Sequence, residues 1–302
     1  MSLLHKNNES YPPKRRRRFN FKNWRRNWYK FSRNPLPVLG LVLVILIILL
    51  AILAPWVAPY PQHAGKFINL KERFQPPSAA HWCGTDAMGR DILSRILFGY
   101  RISLLLGIVV LSISVPIGLT FGLLGGYYKD TFVETVCMRI TDIFLAVPPL
   151  ILAMAVASVL KPSLQNSMLA ISLMWWPWYS RLIYGVVSGV RNEFFVQSAE
   201  VIGASRLHIL LRELLPQTIS PLFTKITLDM GFAILVGASL SFVGLGAQPP
   251  TPDLGTMVSE GSKFLPEQWW MSVFPALAIV LVVLAFNFVG DGLRDLFSLE
   301  QV

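Results

Sequence analysis

The sequence predicts an all-α polytopic membrane protein with six transmembrane helices. Composition is the first reason. Of the 302 residues, 53% are hydrophobic and only 15% are charged, where soluble chains carry about 25% charged residues. Mean hydropathy is +0.52. A single soluble core does not need this much apolar sequence, whereas a lipid-solvated bundle must be apolar on its outward faces too. The second reason is segmental: six apolar stretches each come close to the roughly 20 residues that cross a hydrocarbon core about 30 Å thick. The third is charge placement. The net charge is +10, and 11 of the 27 Lys and Arg fall within residues 1–35, ahead of the first stretch.

Residues 37–57 form the most apolar stretch. It starts too late and runs too long for a cleaved signal peptide, so it reads as a retained span. Residues 102–124 are the second. Residues 140–160 are the third and contain Pro148 and Pro149, which kink a helix but are tolerated in membranes. Residues 168–190 are weaker, with Trp175, Trp176, Pro177, Trp178 and Arg181 inside. Residues 219–245 follow a polar segment, and residues 271–290 close the set. Six spans return both termini to one side. The run Lys14-Arg15-Arg16-Arg17-Arg18, followed by Trp24, Trp28, Tyr29 and Phe31, reads as a cytoplasmic flank with an interfacial aromatic belt rather than a nucleic-acid site. Residues 1–35 are then a basic arm and interfacial helix, and 36–100 the first span with an outer segment. Residues 101–295 are a five-helix unit with an inner loop at 191–218, and 296–302 a cytoplasmic tail. The outer segment holds Lys66, Lys71, Arg73, Arg90 and Arg95; the N-terminal cluster outweighs them.

Catalytic signatures are missing. The chain has no G-x-x-x-x-G-K-[ST] phosphate loop, no H-E-x-x-H and no G-x-S-x-G. His5, His63, His81 and His208 are scattered, and Cys83 and Cys137 fall in unrelated settings, so neither a metal site, a cofactor site nor a disulfide framework is expected. Gly118, Gly122 and Gly126 form a small-xxx-small ladder, read as close packing within this chain. Arg139 and Asp142 are three apart, and Lys225 and Asp229 four apart, which puts opposite charges on one helical face. Both pairs are expected toward the cytoplasmic end, as structural pairs rather than an ion relay.

The inner loop is the most informative segment. It runs Gln197-Ser198-Ala199-Glu200-Val201-Ile202-Gly203-Ala204-Ser205 and continues to Leu215-Pro216. Leu207, Leu210, Leu211, Leu214 and Leu215 follow the i, i+3, i+4, i+7, i+8 pattern of one helix face. Ser205 is the expected N-cap, Gly203 lets the chain turn between two short helices, and Pro216 is expected to separate this helix from the next span. Alone, such a unit is either an interfacial connector or a docking element for a soluble partner.

Here the sequence resembles a known family. Gln197-Ser198-Ala199, three residues, Gly203, and then Leu215-Pro216 resemble the EAA loop of ABC-importer permeases. In that family the loop forms the coupling helix that sits in a groove of the ATPase subunit. The family usually has Glu where this chain has Gln197; Glu200 lies one helical turn on. Gly84-Thr85-Asp86, Gly89-Arg90-Asp91, Arg95 and Gly99 to Ser103 are similar to the segment before the second span in the C-type permease subunit of dipeptide and oligopeptide importers. Gly244 to Pro252, Asn287 and Gly290 to Asp295 match the same subunit type. The resemblance covers the chain from about residue 24. It implies the type I ABC importer permease fold in a bacterial inner membrane, and these partners: a second, B-type permease, two ATP-binding subunits and a periplasmic or lipid-anchored solute-binding protein. ATP hydrolysis would sit in those partners, so this chain is not expected to be an enzyme. Outer segments 84–95 and 247–256 would contact the binding protein or partner permease, or simply hold the loop together. Peptides are the implied substrates, although relatives carry nickel complexes or glutathione. The alternative of a different class is an ion-coupled secondary transporter, for which inverted repeats and midplane polar residues are the signs to seek.

Overall fold

The structure is a computed structural model; it describes Phe31 and residues 33–298. The basic cluster at 14–18, its aromatics up to Tyr29 and most of the tail at 296–302 lie outside those residues. Every element among the described residues is helical apart from one isolated antiparallel bridge between Thr85 and Asp91.

Helix α1 spans Pro35–Val57. Asn34 caps it by accepting from Leu36 N at 3.3 Å, and Pro35 occupies the first turn, where its missing N–H costs nothing. One face (Gly40, Val44, Ile47, Ala51, Ala54) is buried, while Leu39, Val42, Leu46 and Leu53 face outward. Helix α2, Ile92–Tyr127, is 36 residues long, about 54 Å at 1.5 Å per residue. The third predicted span is not one helix. It is α3 (Phe132–Leu145) and α4 (Pro149–Val159), bent by 84° at the break. Adjacent prolines explain this. Val147 is pushed out of the helical region by the ring that follows it, and neither Pro148 nor Pro149 can donate to the ladder.

Helix α5, Leu164–Val190, starts at Ser163, whose Oγ accepts from Asn166 N at 3.2 Å. Ile171, Tyr179, Ile183 and Val187 are completely buried, so neighbouring helices cover one side of this one, while Leu169, Leu173 and Trp178 are exposed. The glycine ladder is what lets α2 approach it. A Cβ on Gly118 would lie 2.4 Å from Tyr179 Cβ, one on Gly122 2.6 Å from Ile183 Cβ, and one on Gly126 2.6 Å from Val187 Cβ. The ladder therefore packs within this chain, as the sequence predicts.

Short α6 (Phe194–Val201) precedes α7, which runs unbroken over Arg206–Phe242. Pro216 does not separate two helices. Residues Ile209–Leu214 form a π turn just before it. The wider i→i+5 spacing takes up the carbonyl that the proline ring would strike and the N–H it lacks, so the axis continues. The π turn also rotates the leucine face: Leu210 and Leu214 are buried, and Leu207 and Leu211 are exposed. Helix α8 (Leu254–Ser262) and α9 (Trp270–Ser298) complete the chain.

By length and composition α1, α2, α7 and α9 can each cross a membrane, and the bent α3–α4 pair makes five among the described residues. Helix α5 has the length, at 27 residues, or about 40 Å, but its Ser, Gln, Trp and Arg side chains lower its hydropathy. Helices stand at all six predicted positions.

Candidate functional site: an inner loop, an outer cluster and two ion pairs

The inner loop is closed by backbone hydrogen bonds. Gly203 N donates to Glu200 O at 3.0 Å and Ala204 N to Ala199 O at 2.9 Å, the paired bonds that end a helix on a left-handed residue. Gly203 supplies it, with φ +78°. Ser205 Oγ then accepts from His208 N at 3.3 Å and starts α7, as predicted. Gln197 Nε2 donates to Asn192 O at 3.0 Å, and Ser198 Oγ to Phe194 O at 2.7 Å, so both side chains are spent on the start of their own helix. Tyr127 OH donates to Glu200 Oε1 at 3.4 Å, and Arg206 stacks over the Tyr128 ring at 5.8 Å. These two contacts tie the loop to the inner end of α2. Val196 and Ala199 face the body of the protein, whereas Val201 and Ile202 are 87% and 81% exposed. Leu215 and Pro216 follow the π turn directly and lie inside the continuous α7 rather than at its edge.

The outer segment is a buried polar cluster. Asp91 caps α2, its Oδ2 accepting from Ser94 N at 2.8 Å and Ser94 Oγ at 2.7 Å. His81 Nδ1 lies 2.9 Å from Asp91 Oδ1, and Asp91 N donates to His63 Nδ1 at 2.9 Å. His63 must be neutral on that nitrogen to accept. Burial holds its pKa below the usual value, with nearby His81 acting in the same direction and Asp91, Glu72 and Asp86 opposing. Burial, followed by the Asp91 charge, pushes the Cys83 thiol up to about 11. Asp86 accepts from Met88 N at 2.8 Å, Arg90 N at 2.9 Å and Arg90 Nε at 2.7 Å. Arg95 Nε lies 3.6 Å from the same carboxylate, and Arg90 Nη2 3.8 Å from Glu260 on α8. Thr85 Oγ1 accepts from Gln75 N at 2.9 Å, and its carbonyl accepts from Trp270 Nε1 at 3.3 Å. Gly89, at φ +74°, passes so close that a Cβ would sit 1.9 Å from Asn69 O; Gly84 turns the same way, at φ +76°. Thr85, Asp86, Arg90, Asp91 and Arg95 are all buried. They hold the loop together, and exposed Trp82, Met88, Ile68 and Leu70 present its outer surface. In the 247–256 segment Asp253 caps α8 through Thr256 N at 2.9 Å, and Ala247 and Leu254 are buried.

The ion pairs differ from expectation in two ways. Asp142 does not take its helical neighbour Arg139; it pairs with Arg181 across on α5. Lys225 Nζ meets Asp229 Oδ1 at 2.9 Å as predicted, but the carboxylate is buried and also accepts from Trp175 Nε1 at 2.9 Å. The carboxylate is held inside the bundle rather than reaching out along its helix. The bridges from His63 to Asp91 and from Trp175 to Asp229 join residues 28 and 54 positions apart, and no local pattern announces either.

A helical bundle with helices long and apolar enough to cross a membrane defines a polytopic membrane protein. The comparisons make the class specific. Residues 114–299 match the family described as the binding-protein-dependent transport system inner membrane component, and residues 22–77 match the N-terminal transmembrane domain of oligopeptide transport permease C. The chain is 41% identical over 98% of its length, and 97% of the relative, to the probable D,D-dipeptide transport system permease protein of Escherichia coli K12. It is 40% identical to the dipeptide transport system permease protein of Haemophilus influenzae, over 89% of this chain and 92% of that one. It is 42% identical to the glutathione transport system permease protein of E. coli O1:K1, over 90% and 89%. A structure of the MetNI methionine ABC transporter in an inward-facing conformation superposes with a TM-score of 0.50 at 17% identity, covering 67% of this chain and 93% of that one. This chain belongs to the binding-protein-dependent transport system inner membrane components: it is a permease subunit of an ABC transporter. That membership displaces the ion-coupled alternative.

Proposed function

We propose that this chain is the C-type permease of a peptide importer in a bacterial inner membrane, with both termini in the cytoplasm. It pairs with a B-type permease, two ATP-binding subunits and a periplasmic or lipid-anchored solute-binding protein. The observation that carries the reading is the inner loop. Its apolar tip, Val201 and Ile202, protrudes from the protein and is joined through Gly203 to a helix that runs uninterrupted to Phe242. Exposed apolar groups beside a polar rim are what a partner's groove covers. Closure of an ATPase pair around that tip would move α7 as a unit. Dipeptide and glutathione relatives at closely similar identity support a short peptide as the solute. Nothing in the loop performs chemistry; hydrolysis belongs to the partners.

The test is reconstitution. Purified from mild detergent with its neighbours, the chain should bring down a second permease and ATPases, and the complex should take up dipeptide into liposomes only with ATP and a binding protein. Uptake that persists without ATP but follows an imposed ion gradient would sink the proposal.

A further inference from the structure

Two ion pairs sit where lipid would not tolerate them. Pro177 is the midpoint of α5, and Arg181 lies four residues beyond it, about 6 Å along the axis. Trp175, which binds Asp229, is two residues before it. Lys225 Nζ lies 5.5 Å from the centre of the Tyr179 ring. Asp142, Arg181, Lys225 and Asp229 therefore share a slab only about 9 Å thick, around the centre of a helix about 40 Å long. Three of the four are partly open: the side chains of Arg181, Asp142 and Lys225 are 39%, 41% and 28% accessible, and Asp229 is 5%.

The opening has a definite face. On α5, Trp178, Arg181, Gly185 and Gly189 fall on one stripe, and Trp178, Gly185 and Gly189 are exposed. A Cβ placed on Gly185 or Gly189 would meet nothing within 4 Å. Asp142 on α3 borders the stripe on one side and Lys225 on α7 borders the other. Charges near mid-bilayer are expensive against lipid and face a bundle interior or water. Pressing them against an apolar partner surface would also remove their remaining hydration, which burial of ion pairs rarely recovers.

From this placement we infer that the face between α3 and α7, floored by the inner half of α5, lines the water-filled solute path at mid-membrane. Its belt of two cations and two anions passes solutes that carry an ammonium and a carboxylate together. The inference rests on the importer reading and adds which residues meet the solute: Arg181, Asp142 and Lys225, with buried Asp229 holding Lys225 from behind. Because the belt sums to zero charge, neither end of a zwitterion meets net repulsion. Each end finds an opposite charge within reach while leaving the pairs otherwise intact. Lys225 and Asp229 form the outer wall of the belt, with Asp229 fixed by the Trp175 indole, and Arg181 with Asp142 forms the inner wall.

The experiment labels cysteines in the assembled transporter in liposomes with membrane-impermeant thiosulfonates, one cationic and one anionic. Trp178→Cys and Gly185→Cys place thiols on the stripe, the first beside the α5 midpoint and the second about 12 Å inward of it, both at exposed positions. Leu46→Cys, on the outward face of α1, is the lipid-facing control, and the unsubstituted protein is the blank. Only the thiolate reacts, so a stripe thiol in water should label at least about tenfold faster than one held protonated by lipid. Adding Asp142→Asn, which leaves Arg181 unneutralised, should raise the anionic-to-cationic rate ratio at Gly185→Cys by about tenfold, and Arg181→Gln should lower it by a similar factor. Labelling no faster than Leu46→Cys at both stripe positions, or ratios that do not respond to the charge changes, would overturn the inference. ATP-driven uptake is measured on the same vesicles. Uptake without stripe labelling defeats the path assignment alone, and labelling without ATP-driven uptake counts against the importer reading instead.

Discussion

At the scale of single residues, Gly203 and His63 do the most with the least. The left-handed conformation of Gly203 is what closes the two hydrogen bonds of the inner loop, and open space surrounds it. The cost of a side chain there is therefore conformational, roughly 1–2 kcal/mol for an ordinary L-residue. Gly203→Asp should insert and assemble normally while ATP hydrolysis no longer drives uptake; unimpaired uptake in vesicles would show that the turn is dispensable. Gln197→Glu is expected to be tolerated. Glu cannot donate to Asn192 O, so one exposed bond worth about 0.5–1.5 kcal/mol is lost, and the variant should still co-purify with ATPase subunits. His63 makes stability depend on pH. Its pKa is lowered in the folded protein, so as pH falls below about 6.5 the unfolded chain takes a proton that the folded chain resists. Stability should decline from there down to the folded pKa and level off below it. Amide protection in residues 60–91, taken relative to the intrinsic exchange rate at each pH, should fall between pH 7 and 5.5, and His63→Gln should remove most of that dependence.

At the scale of elements, close packing between α2 and α5 fixes the centre of the bundle. A Cβ on Gly122 would lie 2.6 Å from Ile183 Cβ and 2.7 Å from Ser180 O, neither of which can rotate away. Gly122→Val should therefore lower stability in detergent by about 1–3 kcal/mol, while Gly185→Ala, facing open space, should leave the melting temperature nearly unchanged. The elements were legible in the sequence wherever one rule acted alone. Ser205 and Gly203 did what cap and turn chemistry dictates, and the glycine spacing told which helix faces touch closely. Legibility failed where two rules met. At Pro148-Pro149 the membrane's tolerance for proline competed with two missing donors, and the double loss broke the helix. At Pro216 a boundary seemed due, but a π turn, which has no sequence signature of its own, restored continuity. Partners across the bundle, such as Arg181 for Asp142, were illegible because the nearer Arg139 satisfied the spacing rule equally well.

At the scale of the whole molecule, α1 docks against α9 through glycine contacts. A Cβ on Gly40 would lie 2.5 Å from Phe288 Cβ, and one on Gly292 2.5 Å from Pro37 Cβ. Gly40→Leu should pry α1 from an otherwise folded body, seen as faster tryptic cleavage at Lys66, Lys71 or Arg73 with little change in cleavage of the inner loop. Composition alone revealed the membrane class, and the inner loop with the two outer motifs revealed the family. The buried role of Thr85, Asp86 and Arg95 was not legible, because the same Gly, Asp and Arg that build a tight loop also build a contact surface. Only burial separates the two.

The continuity of α7 has a mechanical consequence. Arg206–Phe242 is a single 37-residue rod, about 55 Å long, with its inner end beside the protruding Val201 and Ile202. A helix that is not broken carries a displacement of its inner end outward, giving only where the π turn at Ile209–Leu214 and Pro221 loosen its hydrogen-bond ladder. A tilt of 10° at the inner end sweeps the outer end through about 10 Å, a displacement comparable to the diameter of a helix. A stroke applied at the inner end by the proposed ATPase contact would thus be set by leverage, and a proline that had broken the helix at 216 would have dissipated it close to its source.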